Sequence, residues 1–241
     1  MSELLISEVT RMGDGFCVIG LMSNPAGVCS LRPMPHGGFA WRPFPYRRAD
    51  RIAFDLQLVS LAAPHLEDRV CSNHRKLGSI SEDEMLDLLQ KAELGESRAD
   101  LFGCAVRSTA SGATYVKPGH GERSICGCRI ENISFDFSHY PKKNVRAALL
   151  LASGDRLDSL PVVDDDWLRF IDHLWERSQG TVNIGSRLQR FFNQQIKEHV
   201  LSSAIPFVRI GLTRPFHGRC WLMLDSLFPV PKRNWVEEFL Q

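Results

Sequence analysis

The chain reads as a mainly β protein with inserted helices, an α+β arrangement of two small antiparallel barrels in tandem. Three observations carry that expectation. Apolar runs of strand length recur in both halves, joined by turn sequences rich in Gly, Asp and Ser. Each half also holds amphipathic helical stretches between its strands, led by polar capping residues. No alternation of strand, glycine-rich phosphate loop and helix is present, which excludes a doubly wound parallel sheet.

In order along the chain, Leu4 to Arg11 and Phe16 to Met22 form a strand pair across Met12-Gly13-Asp14-Gly15, a turn sequence suited to positive φ. Val28 to Leu31 is a short third strand. Arg51 to Leu61 is a longer fourth, with Ile52, Phe54, Leu56 and Leu58 alternating. Ser81 and Glu84 match a capping box, and Met85, Leu88, Leu89 and Ala92 follow at helical spacing to about Leu94. The polar, glycine-rich run from Arg107 to Ser124 is either a mobile loop or a hairpin around Thr114 to Val116. Strands resume with Ile125 to Phe137, and Val145 to Leu151 pairs with Leu157 to Val163 across Ser153-Gly154-Asp155. Asp164 to Asp166 cap a helix whose stripe is Trp167, Phe170, Ile171 and Leu174. Leu188, Phe191, Phe192, Ile196 and Val200 mark a further helix to about Leu201. Phe207 to Thr213 and Cys220 to Phe228 close the chain as strands around Phe216-His217-Gly218-Arg219.

With 241 residues the chain has room for one large core or two modest ones. Lys and Arg number 29 against 28 Asp and Glu, a net charge of +1. A chain that coats duplex DNA without sequence preference carries a larger positive excess, so any nucleic-acid contact has to be local. No apolar run approaches the ~20 residues of a membrane helix, and MSELLISEVT has no basic leader, so no membrane partner is expected. Seven cysteines, an odd count without framework spacing, fit reduced thiols in a cytoplasmic protein.

Cations and flat rings are most densely mixed between Arg32 and Arg48, in RPMPHGGFAWRPFPYRR. The segment has four arginines, four aromatics, four prolines and no acidic residue. Arg32, Arg42, Arg47 and Arg48 supply phosphate-seeking charge, and Phe39, Trp41, Phe44 and Tyr46 supply faces on which unstacked bases lie. The prolines and Gly37-Gly38 exclude a helix and make the segment a stiff, turned loop. Two readings stay open: a nucleic-acid contact, or a loop closing over a barrel rim with its arginines solvated. A second cluster lies near the last hairpin. Arg209 sits on the strand, Arg214 begins the turn and Arg219 lies across it, with Trp221 as a stacking face. These arginines either grip phosphate or pair with Asp225 or with the Asp164–Asp166 cluster. The steps Arg32-Pro33 and Arg214-Pro215 both stand beside a strand, a faint echo of duplication.

The blocks LLISEVTRMGDGFCVIGL, LRPMP, APHLEDRVC, LPVVDDDWLRF and RIGLTRPFHGRCWLMLDSLF resemble the dual OB-containing domain family of prokaryotic proteins. They span most of the chain, and residues 96–124 match least. The resemblance implies two OB-like barrels, residues 1–98 with a helix near 81–94 and residues 99–241 with helices near 165–177 and 187–201. By fold analogy it implies an oligonucleotide-binding face and no established activity.

Other constellations are weaker. Consecutive aspartates at 164–166 point in different directions, which favours capping over Mg²⁺ binding. Cys126 and Cys128 lie one residue apart, poor spacing for zinc, and no second Cys-x-x-Cys completes a tetrahedral site. No nucleophile elbow or His-Glu-x-x-His is present, and Glu67-Asp68-Arg69 reads as loop anchoring before hydrolysis. The sequence therefore predicts a cytoplasmic, non-catalytic protein without cofactor. It would bind single-stranded DNA or RNA, or a nucleotide-like ligand, through Arg32, Trp41, Arg42, Tyr46, Arg47, Arg48, Arg209, Arg214, Arg219 and Trp221. The alternatives are a protein-interaction or self-association module that uses the aromatic loop and the segment Trp235–Leu240, and a metal-dependent enzyme acting on nucleotides.

Overall fold

The computed structural model describes residues 2–57, 61–92, 94–142, 144–178, 183–202, 206–232 and 234–240. Leu58, assigned above to the fourth strand, lies outside them. Five strands, β1 (Ser2–Met12), β2 (Gly15–Asn24), β3 (Gly27–Met34), β4 (Asp50–Gln57) and β5 (Asp68–Ser79), close into a barrel in the order β1-β2-β3-β5-β4. Within it β1 pairs antiparallel with both β2 and β4, whereas β3 and β5 run parallel through Arg32↔Asp68, Pro33↔Arg69 and Met34↔Val70. The all-antiparallel expectation is corrected here. β5 is a strand that periodicity does not reveal, because Ser72 to Leu77 carry no apolar alternation and are largely exposed.

After helix α1 (Glu82–Leu89) the chain builds a second, curled sheet. Its strands are β6 (Arg107–Ser108), β7 (Thr114–Val116), β8 (Ile125–Asp136), β9 (Arg146–Leu151), β10 (Arg156–Pro161), β11 (Phe207–Leu212) and β12 (Cys220–Phe228). The order is β10-β9-β8-β11-β12-β7-β6. Between β10 and β11 lie α2 (Asp165–Arg177), α3 (Ile184–Gln195) and a π-helical turn at Ile196–Val200, and α4 (Asn234–Leu240) ends the chain. A parallel bridge, Val162↔Leu224, with Val163 N–H donating to the Leu224 carbonyl at 3.0 Å, brings the end of β10 beside β12. The two sheets thus share one succession. Three meandering strands are followed by a connection and a hairpin; the first strand of each set pairs with the fourth, and the third runs parallel to the fifth.

Local chemistry fixes the helices. Ser81 caps α1 reciprocally with Glu84, and α1 buries Met85 and Leu89. It ends at Leu89, short of the expected Leu94, because Leu94 leaves the helix to bridge Gly127 of β8. Asp164 caps α2 by accepting from the amides of Asp166 and Trp167, and Trp167, Leu168, Ile171 and Leu174 face the core. Burying a carboxylate at this helix start is tolerable because the backbone N–H groups there are otherwise unpartnered.

Three apolar clusters hold the molecule. The barrel interior is filled by Leu4, Ile6, Val18, Leu31, Ile52 and Phe54, with Trp41 as a plug. The second sheet encloses a larger core in which Phe135, Trp167, Phe192 and Trp235 meet ring to ring. Between the sheets Met85 and Leu89 of α1, with Ala92 just beyond it, pack on Leu5, Leu21, Phe207 and Phe228. Two aromatic residues of the segment Trp235–Leu240 face inward, whereas Glu237 and Glu238 are exposed. Trp235 and Phe239 are buried in the second core, where an indole or phenyl ring gains most from leaving water. No helix among the described residues is long and apolar enough to cross a membrane.

Candidate nucleic-acid interface

The arginines divide into two populations. One lies in the seam between the sheets. β1 is buried on both faces, since its outer side packs on the second sheet, and a register shift between Ile6 and Glu8 turns the Glu8 carboxylate into the seam. Arg209, 0% exposed, donates to Glu8 at 2.8 Å and to Ser30 Oγ at 2.6 Å. Arg48 pairs with Asp164 at 2.8 Å and with Asp166 at 3.0 Å, and lies 5.0 Å over the Phe228 ring. Arg32 donates to Asp68 at 2.9 Å and to Ser124 Oγ at 3.0 Å. Arg214, across the seam, takes the other oxygen of Asp68. The two Arg-Pro steps thus clamp a single carboxylate rather than occupying equivalent places in a repeat.

Glu67 and His65 in the seam are equally occupied. Glu67 accepts from the Ser124 and Ile125 amides and from Ser124 Oγ. His65 receives Arg32 at Nδ1 (3.0 Å), and its Nε2 faces the Thr213 carbonyl at 3.2 Å. Burial, with Arg32 and Arg214 beside it, lowers its pKa to about 3, so the ring is neutral and Nε2 carries the proton. Asp225 is buried with Oδ1 unpartnered, and burial raises its pKa to about 8. Its carboxyl lies over Gly211, where a Cβ would meet Asp225 Oδ2 at 1.9 Å, so only glycine fits that position.

Arg32, Arg48 and Arg209 therefore leave the solvent-facing set. Arg48 and Arg209 are drawn inward because a carboxylate facing each across the seam would otherwise be buried unpaired, and Arg32 because Asp68, its neighbour on β5, would be. Trp41 also faces inward, with its Nε1–H donating to the Pro33 carbonyl at 2.8 Å and its backbone bridging Phe16. For this ring the rim-closing reading holds. Asp165 likewise pairs with Arg11 and Arg169, so the three aspartates are held by a helix start and arginines.

The second population is on the surface. Arg42 and Arg47 are exposed on the aromatic loop, Arg42 against Asp14 of the β1–β2 turn. Tyr46 hydrogen-bonds His74 Nδ1 at 2.8 Å, and the rings of Phe44, Trp41 and His74 meet it or one another at 5.3–5.5 Å. At the far hairpin, His217 (φ 50°) and Gly218 (φ 71°) make a tight turn that sets Phe216 opposite Arg219. Arg219 lies 4.7 Å over the Tyr115 ring and 5.3 Å over Trp221, because β7 and β12 place those rings on neighbouring residues. Phe39 reaches from the first barrel to lie 4.5 Å under Arg214, and is still 54% exposed; Phe216 is 62% exposed. Arg219 over its two rings keeps its N–H edge for phosphate, whereas Arg214 gives part of its edge to Asp68.

Of the ten expected residues, the structure gathers Arg214, Arg219 and Trp221 at one hairpin, with Arg42, Tyr46 and Arg47 on the aromatic loop. Sequence reasoning missed Tyr115, His74 and Phe216. The signal for Tyr115 was the alternation of Thr114 and Val116, which are buried, around it. Cys126 and Cys128 both lie buried in β8. No family model, curated protein or solved structure matches the chain.

Proposed function

We propose that this protein binds single-stranded nucleic acid without catalysis, through a surface to which both barrels contribute. The observation that carries the reading is the meeting of Phe39 with Arg214. It joins the aromatic loop of the first barrel to the Arg219/Tyr115/Trp221 hairpin of the second. Stacking faces and phosphate-seeking edges then alternate across the junction, as a single strand requires. We further infer that the chain is a two-barrel protein of the dual OB-containing domain type, with a boundary near residue 98. The repeated strand succession, with its parallel third-to-fifth contact in each sheet, supports this. A cytoplasmic setting is supported by seven cysteines, all among the described residues, none of which is in a disulfide. A non-catalytic role is supported by His65, Glu67 and Ser124, whose polar atoms serve the seam.

The test is fluorescence anisotropy of labelled single-stranded DNA and RNA, ~15 nucleotides long, against wild type and an Arg219→Ala/Trp221→Ala variant. Micromolar or tighter binding that weakens at least tenfold in the variant is expected. An absence of binding to either strand overturns the reading and turns attention to Phe39 and Phe216 as protein-contact residues.

A further inference from the structure

A cleft of about 440 Å³ opens beside the Phe39–Arg214 contact. Its walls are Pro35, Phe39, Ala62, Val70 and Pro215, and its floor is Asp68 with His65. Building on the binding reading above, we propose that this cleft receives one unstacked base of the bound strand. The size of the cleft, its ring, its floor and its rim fit that occupant.

Its volume lies within the ~300–1,000 Å³ typical of small-ligand sites. One face of the Phe39 ring is held by Arg214, which fixes the ring's tilt while leaving more than half of the residue in solvent. A flat apolar ring positioned by a guanidinium is a stacking platform, and a phosphate has no use for it. The floor is an acceptor. Each carboxylate oxygen of Asp68 takes one guanidinium proton, which leaves further lone pairs for the N–H groups of a base edge. The rim supplies one cation, Lys117, and polar groups for the strand's backbone. Gly119 N–H donates to the Ala63 carbonyl at 3.0 Å, so the turn carrying Lys117 and His120 lies against the cleft wall. His36 precedes Gly37-Gly38 on the opposite lip, where a Cβ on either glycine would touch nothing. The apolar walls take the base, and Lys117 with the polar rim takes its phosphates.

The experiment uses a short strand carrying one 2-aminopurine, titrated with full-length wild type, Phe39→Ala, Ala62→Trp and Trp221→Ala. Phe39 and Ala62 are exposed, so both cleft variants keep the wild-type melting temperature. Wild type is expected to brighten the 2-aminopurine as it leaves its neighbours' stack. Loss of Phe39, or filling of the cleft by Ala62→Trp, should weaken binding about tenfold and abolish the brightening. If both cleft variants bind and brighten like wild type while Trp221→Ala binds weakly, the base pocket is wrong and the binding reading stands. If wild type binds no strand, both fall.

Discussion

Arg47 and Arg48 are neighbours in sequence and opposites in the structure. The first projects into solvent from the aromatic loop, and the second is buried between two aspartates and the Phe228 ring. Arg209 and Arg219 repeat the contrast on the last hairpin: one is sealed against Glu8, the other stacked at the surface on Tyr115 and Trp221. The two populations share a side chain and differ in what faces them. A buried guanidinium opposite a buried carboxylate holds the sheets in one relative position, because neither charge can be left alone. A surface guanidinium on a ring leaves its donors to another molecule. Removing a seam arginine should therefore show in stability, and removing a rim arginine in binding.

The largest effect is expected for Arg209→Ala. It strands Glu8 in a buried seam and should cost about 3–5 kcal/mol in denaturant unfolding. The double replacement Glu8→Gln/Arg209→Met should cost less than Arg209→Ala alone. If the two variants prove equally unstable, the penalty comes from lost packing and the ion-pair account of the seam is wrong.

Asp225 gives the next largest effect, and it depends on pH. Burial raises its pKa to about 8 from an ordinary 3.8, so the folded state keeps a proton that the unfolded chain gives up. The associated stability is complete below about pH 4 and is lost as pH rises toward 8. Asp225→Asn removes that titration. It should leave the melting temperature near wild type at pH 4 and raise it by several degrees at pH 8. Parallel pH profiles for the two proteins would show that Asp225 is ionised in the seam.

Much of the fold was legible because periodicity and capping are local. The capping box at Ser81, the Asp164 cap, the α2 stripe and the last hairpin all stand where the residues indicate. What was not legible is non-local. β5 is recognised only by its pairing with β3 and β4, since Ser72 to Leu77 lack an alternating face. The seam was invisible for the same reason. Nothing near Arg32 in sequence signals that Asp68 and Ser124 will meet it, and a basic, aromatic loop reads alike whether its arginines face in or out. Arg214, Arg219 and Trp221 were legible together because one tight turn links them. Tyr115 needed the β7–β12 register.

Smaller effects refine the contrast. Ser81→Ala removes the α1 cap and should cost about 1 kcal/mol without changing strand binding, as measured by melting and anisotropy together. Arg219→Ala should cost less than about 1 kcal/mol of stability while weakening binding severalfold. A variant that unfolds the protein instead would place Arg219 with the seam residues.

The division between seam and rim is tested most directly by the salt dependence of binding. Log Kd for a short single strand would be measured from ~50 to ~200 mM salt, for wild type and for Arg42→Ala/Arg47→Ala/Arg219→Ala. Each phosphate contact contributes a slope of about 0.7, so the triple variant should bind more weakly with a slope lower by about 2, at unchanged melting temperature. An unchanged slope, or a wild type that binds no strand, would contradict a nucleic-acid role for the surface arginines.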